Sequence, residues 1–576
     1  MFIPTTLKEL KELNWPQPDI ILVTGDTYID NPQIGVAVIG KLLIKRGFKV
    51  GIIAQPDIHT GKDITRLGEP RLFWGVTGGS VDSMIANYTA LKKFRKKDDY
   101  TPGGENTKRP DRAVIAYSNL IRRFFKNTAP VVLGGIEASL RRITHYDYWS
   151  DKLRKPILFD AKADYLVYGM AEKTVVELAH SLQKGGNPLK LRGLSYIGNS
   201  APENYLLLPS FDEVNRDKKT FIDMFHRFYR NNDPLNGQGL AQKIDSRYLV
   251  QNPPQYYLAQ KELDEIYNLD FERAVHPYYA KHGKVRALDT IRFSINSHRG
   301  CYGECNFCAI AVHEGRTVRW RSAKSILNEA RHLTKNPDFK GTINDIGGPT
   351  ANMYGFECNI KLKNGACKNR RCLFPKKCPH LPIDHSRQID LLQKVRNIDG
   401  VKHVFIGSGI RYDMVMEDRK YGEAYLKTVA LHHTSGQMKI APEHSDENVL
   451  KRMGKPGIDS LLDFKRQFDR FSKSAGKRQF LTYYFIAAHP GCSEEEMRTL
   501  KHFAEKELHI NPEQVQIFTP LPSTYSGLMY YTGLDPFTLK KLFVVKDYRN
   551  KVRQKSILIS KFSKRRKPHY GNAANR

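Results

Sequence analysis

The chain is predicted to be α/β throughout: a doubly wound, Rossmann-like domain, then a partial (β/α)6 barrel and a basic C-terminal extension. Three observations carry this. Short apolar runs ending in glycine alternate with helical patterns over residues 1–200. A second alternation of strand and helix runs from 286 to 530. Between them, a strand at 291–297 delivers the chain into a loop holding three of the eight cysteines. Residues 201–285 read as a helical and irregular bridge, and 531–576 as the extension.

In chain order, residues 19–26 form an apolar run closed by Gly25 and Asp26, as a strand buried on both faces does. Residues 35–45 have helical apolar spacing, stopped by Arg46 and Gly47, and 49–55 are the next strand. This is one right-handed βαβ unit. Strand-like runs recur at 72–77, 130–135 and 163–169, the last followed by a helix from Ala171. Ligands of such sheets bind at the carboxyl ends of strands, where Gly78, Gly79, Gly134 and Gly135 stand; tight turns account for them equally well. In the bridge, His276 before Pro277 reads as a structural histidine beside a turn. In the second part, strands are expected at 291–297, 342–346, 403–409, 437–444, 480–488 and 514–519, and a helix capped by Ser322.

The loop 299–308 spaces its thiols Cys301-x3-Cys305-x2-Cys308, and no cysteine precedes it. Thiolates are the usual protein ligands of iron–sulfur clusters. A four-iron cubane has four corners, and three sulfurs leave one iron free to chelate a small molecule. A zinc site would show a second Cys pair in place of this triplet.

With Phe307 before the last cysteine, the spacing resembles the radical S-adenosylmethionine (SAM) superfamily. Residues 2–6, 23–30, 347–352, 408–413 and 441–444 resemble more narrowly the YgiQ-type radical SAM proteins, a group of no assigned substrate. The resemblance spans nearly the whole chain, least securely the basic tail. It implies a [4Fe-4S] cluster on Cys301, Cys305 and Cys308, with SAM on its open iron. It places Gly347 and Gly348 at the SAM amino group, Ser408 and Arg411 at the ribose and the methionine carboxylate, and 441–444 and 487–491 around the adenine. Pro349 stands where the superfamily has an acidic residue. The implied activity is reductive cleavage of SAM to a 5′-deoxyadenosyl radical that abstracts hydrogen from substrate, with electrons from a flavodoxin- or ferredoxin-type donor.

Residues 1–200 also resemble the cobalamin-binding module that precedes many such barrels. Pro32 stands where that module has its cobalt-binding histidine, so only cobalamin without a histidine ligand would fit. A cobalamin-dependent methylase is therefore one alternative. A methylthiotransferase is another, opposed by the lack of cysteine before residue 301.

Four more cysteines, Cys358, Cys367, Cys372 and Cys378, lie in an insertion at 355–382. They are read as a second metal site, a further iron–sulfur cluster or a zinc, with His380 as a substitute ligand; free thiols or a redox pair are the alternative. Cys492, alone, reads as a packed thiol.

The formal charge is +32, of which residues 536–576 supply thirteen Lys or Arg against one Asp. That surplus suits an anionic substrate or nucleic acid, and a solvated tail explains it as well. Arg299, Arg316, Arg319 and Arg321 are read as surface groups, or as attractors of an anionic substrate. A basic nucleic-acid-binding protein with structural metals is the reading from another class. The composition, 40% hydrophobic and 11% aromatic, is that of a globular protein. The first residues lack a signal peptide's apolar run, and the best apolar stretch, 34–44, contains Lys41, so a cytoplasmic protein with no membrane partner is expected.

Overall fold

The computed structural model describes residues 1–512 and 515–559. Part of the strand expected at 514–519, and the tail from 560 onward, lie outside the described residues.

The first part is built on one nine-stranded sheet. Its strands are β1 (Ile20–Thr24), β2 (Val50–Ala54), β3 (Phe73–Thr77), β4 (Val131–Gly134), β5 (Tyr165–Val167), β6 (Leu194–Gly198), β7 (Leu206–Leu208), β8 (Leu240–Ile244) and β9 (Arg247–Gln251). They lie in the order β7-β8-β9-β6-β5-β4-β3-β1-β2. From β2 to β5 the neighbours are all parallel. The strand order reverses between β1 and β3, the place where open α/β sheets bind ligands. Every residue of β1 and β2 is buried, which explains their unbroken apolar runs. The helix Gly35–Lys45 covers this end of the sheet, and Lys41 is buried on it because Nζ lies 2.9 Å from the Asp30 carboxylate.

The sheet does not stop at residue 200, and the irregular bridge is corrected to that extent. β8 and β9 form a hairpin whose two-residue turn is Asp245-Ser246, with Asp245 at φ 52°. β9 pairs antiparallel with β6, and β7 adds a parallel edge strand. No glycine marks that turn, and β7 is three residues long, so neither local signal was available. His276 is structural as expected: its Nδ1 accepts from Tyr278 N at 3.1 Å and its Nε2 lies 3.0 Å from Glu9.

The second part is a partial barrel of six parallel strand positions. Ser294–Asn296 pairs with Asp345–Gly347, and Thr342–Ile343 with His403–Val404. Ile410 bridges to Ile440, Gln437–Glu443 pairs with Phe480–Ala487, and the latter with Gln516–Ile517. Helices including Ala323–Thr334, Ser386–Arg396, Asp459–Ser474 and Glu494–Lys506 intervene. Ser322 accepts from Ser325 N, capping the first of them as predicted. Part of the basic extension folds back: the helix Tyr548–Ile559 buries Gln554, which accepts from Ala488 N and donates to Cys492 O at the barrel. Among the described residues no helix is long and apolar enough to cross a membrane.

Candidate functional site

The strand Ser294–Asn296 and the short pairing of His298–Arg299 with Arg319–Trp320 aim the cysteine loop at the carboxyl ends of the barrel strands. Gly300 turns the chain there at φ 81°; a Cβ on it would stand 2.6 Å from Thr317 O. Gly303 separates the first two thiols: its Cβ position is 3.3 Å from Cys301 Sγ and 3.6 Å from Cys305 Sγ. Burial and the neighbouring thiols push Cys301 and Cys308 upward, so as bare groups both are protonated. Binding to a cation would reverse that, since a coordinating thiol is deprotonated outright. Among the described residues no three His, Cys, Asp or Glu side chains are close enough to grip one ion.

Around the loop the predicted residues gather. Gly348 packs on His298, whose Nε2 would be 2.6 Å from a Cβ there. His298 in turn donates from Nε2 to Thr350 O at 2.9 Å and accepts at Nδ1 from Ser297 Oγ at 2.8 Å. Burial takes this imidazole down to about 4, which keeps it neutral. Thr350 Oγ1 then faces Cys301 Sγ at 3.7 Å. Gly347 leaves room for Ser408, whose Oγ would be 2.8 Å from a Cβ. Ser408 donates its hydroxyl to Asp345, which also accepts from Gly407 N at 2.8 Å and Ser408 N at 3.1 Å. Arg411 reaches Cys305 Sγ with Nη1 at 3.8 Å, while Nε and Nη2 are held by Asp413 at 2.8 and 2.5 Å. Only one corner of its fork is left over. Phe307 packs against the cores of both parts of the chain.

Other predicted groups are engaged elsewhere. His444 Nε2 is 3.5 Å from Cys492 Sγ, confirming Cys492 as a packed thiol, and His489 Nε2 is 2.7 Å from Ser526 Oγ. The surface reading of the four arginines is corrected. Arg299 is paired with Glu172 at 2.5 Å, Arg321 with Glu329 at 2.5 Å, and Arg316 and Arg319 lie 3.6 and 3.5 Å from Glu304 and Glu357. Arg299, Arg316 and Arg321 are buried. The acids lie from 8 to 127 residues away along the chain, outside the i,i+3 and i,i+4 spacings that a local pattern shows.

A cavity of about 430 Å³ lies between the sheet and the barrel, with Arg299 at the start of the cysteine loop on its wall. The sheet side contributes Thr24, Asp26, Thr77, Gly79 and Gly135, at the carboxyl ends of β1, β3 and β4, and also Pro32. The barrel side contributes Asn296, His298, Arg299, His313, Gly348 and Pro349. On its wall, His313 Nδ1 and Glu172 Oε2 are buried with no hydrogen-bond partner among the described residues. Burial takes His313 down to about 4. Neither residue was singled out in the sequence, nor was Asp345, although a carboxylate inside an apolar strand just before a glycine pair is a readable signal.

Comparison with known proteins decides the family. The Radical SAM N-terminal family matches residues 2–294. A UPF0313 protein of Fusobacterium nucleatum is 57% identical over 566 residues, covering 98% of this chain and 100% of its own length. One from Thermotoga petrophila is 50% identical over 571 residues, with 98% and 100% covered. The chain belongs to the UPF0313 family of radical SAM-like proteins. Among solved structures, this UPF0313 protein is similar to the radical SAM methyltransferase TsrM of Kitasatospora setae, determined with cobalamin and a [4Fe-4S] cluster bound. The TM-score is 0.50 at 13% identity, over 89% of this chain and 78% of that one. At that identity the likeness shows the α/β fold alone, in keeping with the sheet and partial barrel described above.

Proposed function

We propose that this protein is a radical SAM enzyme: Cys301, Cys305 and Cys308 hold three corners of a [4Fe-4S] cluster, and the glycine pair and its neighbours hold SAM. The observation that supports this most is the convergence on one loop of Gly348 over His298, Thr350 at Cys301 and Arg411 at Cys305. Such a cluster, with SAM on it and an external one-electron donor, would supply reductive cleavage of the sulfonium and hence hydrogen-atom abstraction from a substrate. The chain's own residues position and shield. Gly347 and Gly348 expose backbone that a side chain would cover. Asp345 aligns Ser408 and the 407–408 backbone beside them. Arg411 places its guanidinium 3.8 Å from Cys305 Sγ, positive charge beside a cluster ligand. Gly348 of the glycine pair also lines the neighbouring cavity, whose walls include the apolar Leu22, Ile136 and Val167.

The test is anaerobic reconstitution with iron and sulfide, followed by reduction in the presence of SAM. The reading expects bound SAM and release of 5′-deoxyadenosine, both lost in Cys305→Ala. A filled cluster that yields no 5′-deoxyadenosine would overturn it.

The cavity at the strand reversal favours a second reading, in which cobalamin sits between sheet and barrel. Pro32 lines that cavity and has no donor atom, so the cobalt would take no ligand from that position. Retention of cobalamin by protein purified from cobalamin-supplemented cells supports this reading, and its absence removes it.

A further inference from the structure

The insertion at 355–382 closes around a second cavity, of about 240 Å³, lined by Cys358, Cys367, Cys372 and Cys378 together. All four are free thiols. Cys358, Cys372 and Cys378 are buried, and Cys367 is half-buried at the mouth. The loop is pinned from the first part of the chain: Asn236 Nδ2 donates to Asn364 O at 3.0 Å and to Ala366 O at 2.9 Å. Cys378 N donates to Cys372 O at 2.8 Å, which draws the last two cysteines together.

The donor chemistry selects among the occupants. One zinc needs sulfurs at about 2.3 Å from a common centre. Among the described residues, no group of three His, Cys, Asp or Glu side chains is arranged to hold a single metal ion. The thiols instead border a space several times the roughly 30 Å³ share of one water. Two cations face the sulfurs: Arg370 Nη1 is 3.8 Å from Cys378 Sγ, and the buried ammonium of Lys361 interacts with Cys372. Seven Lys or Arg against one Glu in 355–382 suit a centre of net negative charge. His380, exposed, stands at the rim and is not needed to complete the set.

This second centre abuts the first. Tyr302, between Cys301 and Gly303, packs in one apolar cluster with Cys358, Cys372 and Cys378, and Cys301 packs against the same cluster. Tyr302 stacks on Phe356 at 5.9 Å.

We infer that Cys358, Cys367, Cys372 and Cys378 ligate a second [4Fe-4S] cluster. Four sulfurs leave no corner open, so this cluster chelates no SAM, and its chemistry is confined to taking up and releasing single electrons. The inference goes beyond the proposed function and is separable from it. Iron and sulfide are counted, and zinc measured, after anaerobic reconstitution of the full chain and two variants. One carries Cys301→Ala, Cys305→Ala and Cys308→Ala; the other carries Cys367→Ser and Cys378→Ser. The expected contents are about eight irons in the wild type and about four in each variant. The reduced centre left in the triple variant should have an electron paramagnetic resonance spectrum that SAM does not change. The signal left in the double variant should respond to SAM. About four irons in the wild type, all lost in the triple variant, would overturn the inference and leave the proposed function standing. So would about one zinc per chain that is lost from the double variant. If the double variant does not fold, the triple variant alone decides, because iron retained there has no other cysteine set to hold it.

Discussion

Arg411 Nη1 lies 3.8 Å from Cys305 Sγ, and the rest of its guanidinium is committed to Asp413. Burial opposes charge at both groups, yet the pair holds Arg411 protonated and keeps Asp413 below the usual carboxylate range. Replacing Arg411 by Met would leave the largely buried Asp413 without its cation, at a cost of up to about 3–5 kcal/mol in urea unfolding. Arg411→Met with Asp413→Asn removes both charges and should recover most of that loss. The reconstituted double variant should then show a lower reduction potential than wild type, because positive charge beside a thiolate ligand favours the reduced state. Equal potentials would show that Arg411 is only structural.

The same arginine is anchored from behind by a chain of hydrogen bonds. Asn352 Oδ1 accepts from Arg411 N at 2.8 Å, and Asn352 Nδ2 lies 3.2 Å from His385 Nε2. His385 Nδ1 donates to Asp418 at 2.8 Å. Burial raises Asp418, but the His385 hydrogen bond and backbone donors outweigh it and bring the carboxyl to about 2. An ordinary Asp titrates near 3.9, so between those values the unfolded chain binds more protons than the folded one. Asp418 therefore supports the fold above pH ~4, and that support is lost as pH falls toward 2. Asp418→Asn should flatten this part of the acid-unfolding curve; an unchanged slope would exclude the role.

At Gly348 there is no room for a methyl group. A Cβ would stand 2.6 Å from His298 Nε2 and 2.8 Å from His298 O, so side chain and backbone would both have to yield. Gly348→Ala should cost about 1–3 kcal/mol, as overpacking does. SAM affinity, measured by equilibrium binding to reconstituted protein, should fall further than stability does, because the shift moves Thr350 away from Cys301. Affinity equal to wild type would remove Gly348 from the SAM site.

Strands buried on both faces, such as Ile20–Thr24, were legible because burial shows directly as an unbroken apolar run. The cysteine loop stood out for another reason, since its spacing is itself a donor pattern, whereas the role proposed for the glycine pair rests on resemblance. What escaped depends on partners distant in sequence. Leu206–Leu208 is a strand only because Leu240–Ile244 lies beside it, and buried Arg299 finds its counter-charge in Glu172, 127 residues away. His313 looks ordinary in the sequence; its unpartnered Nδ1 gains meaning from the cavity wall it joins.

The docked part of the basic extension carries a pH signature of its own. Lys551 is buried between Tyr148 and Tyr530, donating to their hydroxyls at 2.9 and 2.8 Å. Burial, with Lys92 nearby, brings its ammonium down to about 8, against about 10.4 for a free lysine. Below pH 8 folded and unfolded chains both carry the proton, and the fold bears the full cost of burying it. Between pH 8 and about 10.4 the unfolded chain holds more protons, so stability rises with pH. The melting temperature of wild type should therefore gain on Lys551→Met as pH is raised from 7 to 10. Parallel profiles would show that the ammonium is more hydrated than its place between the two tyrosines implies.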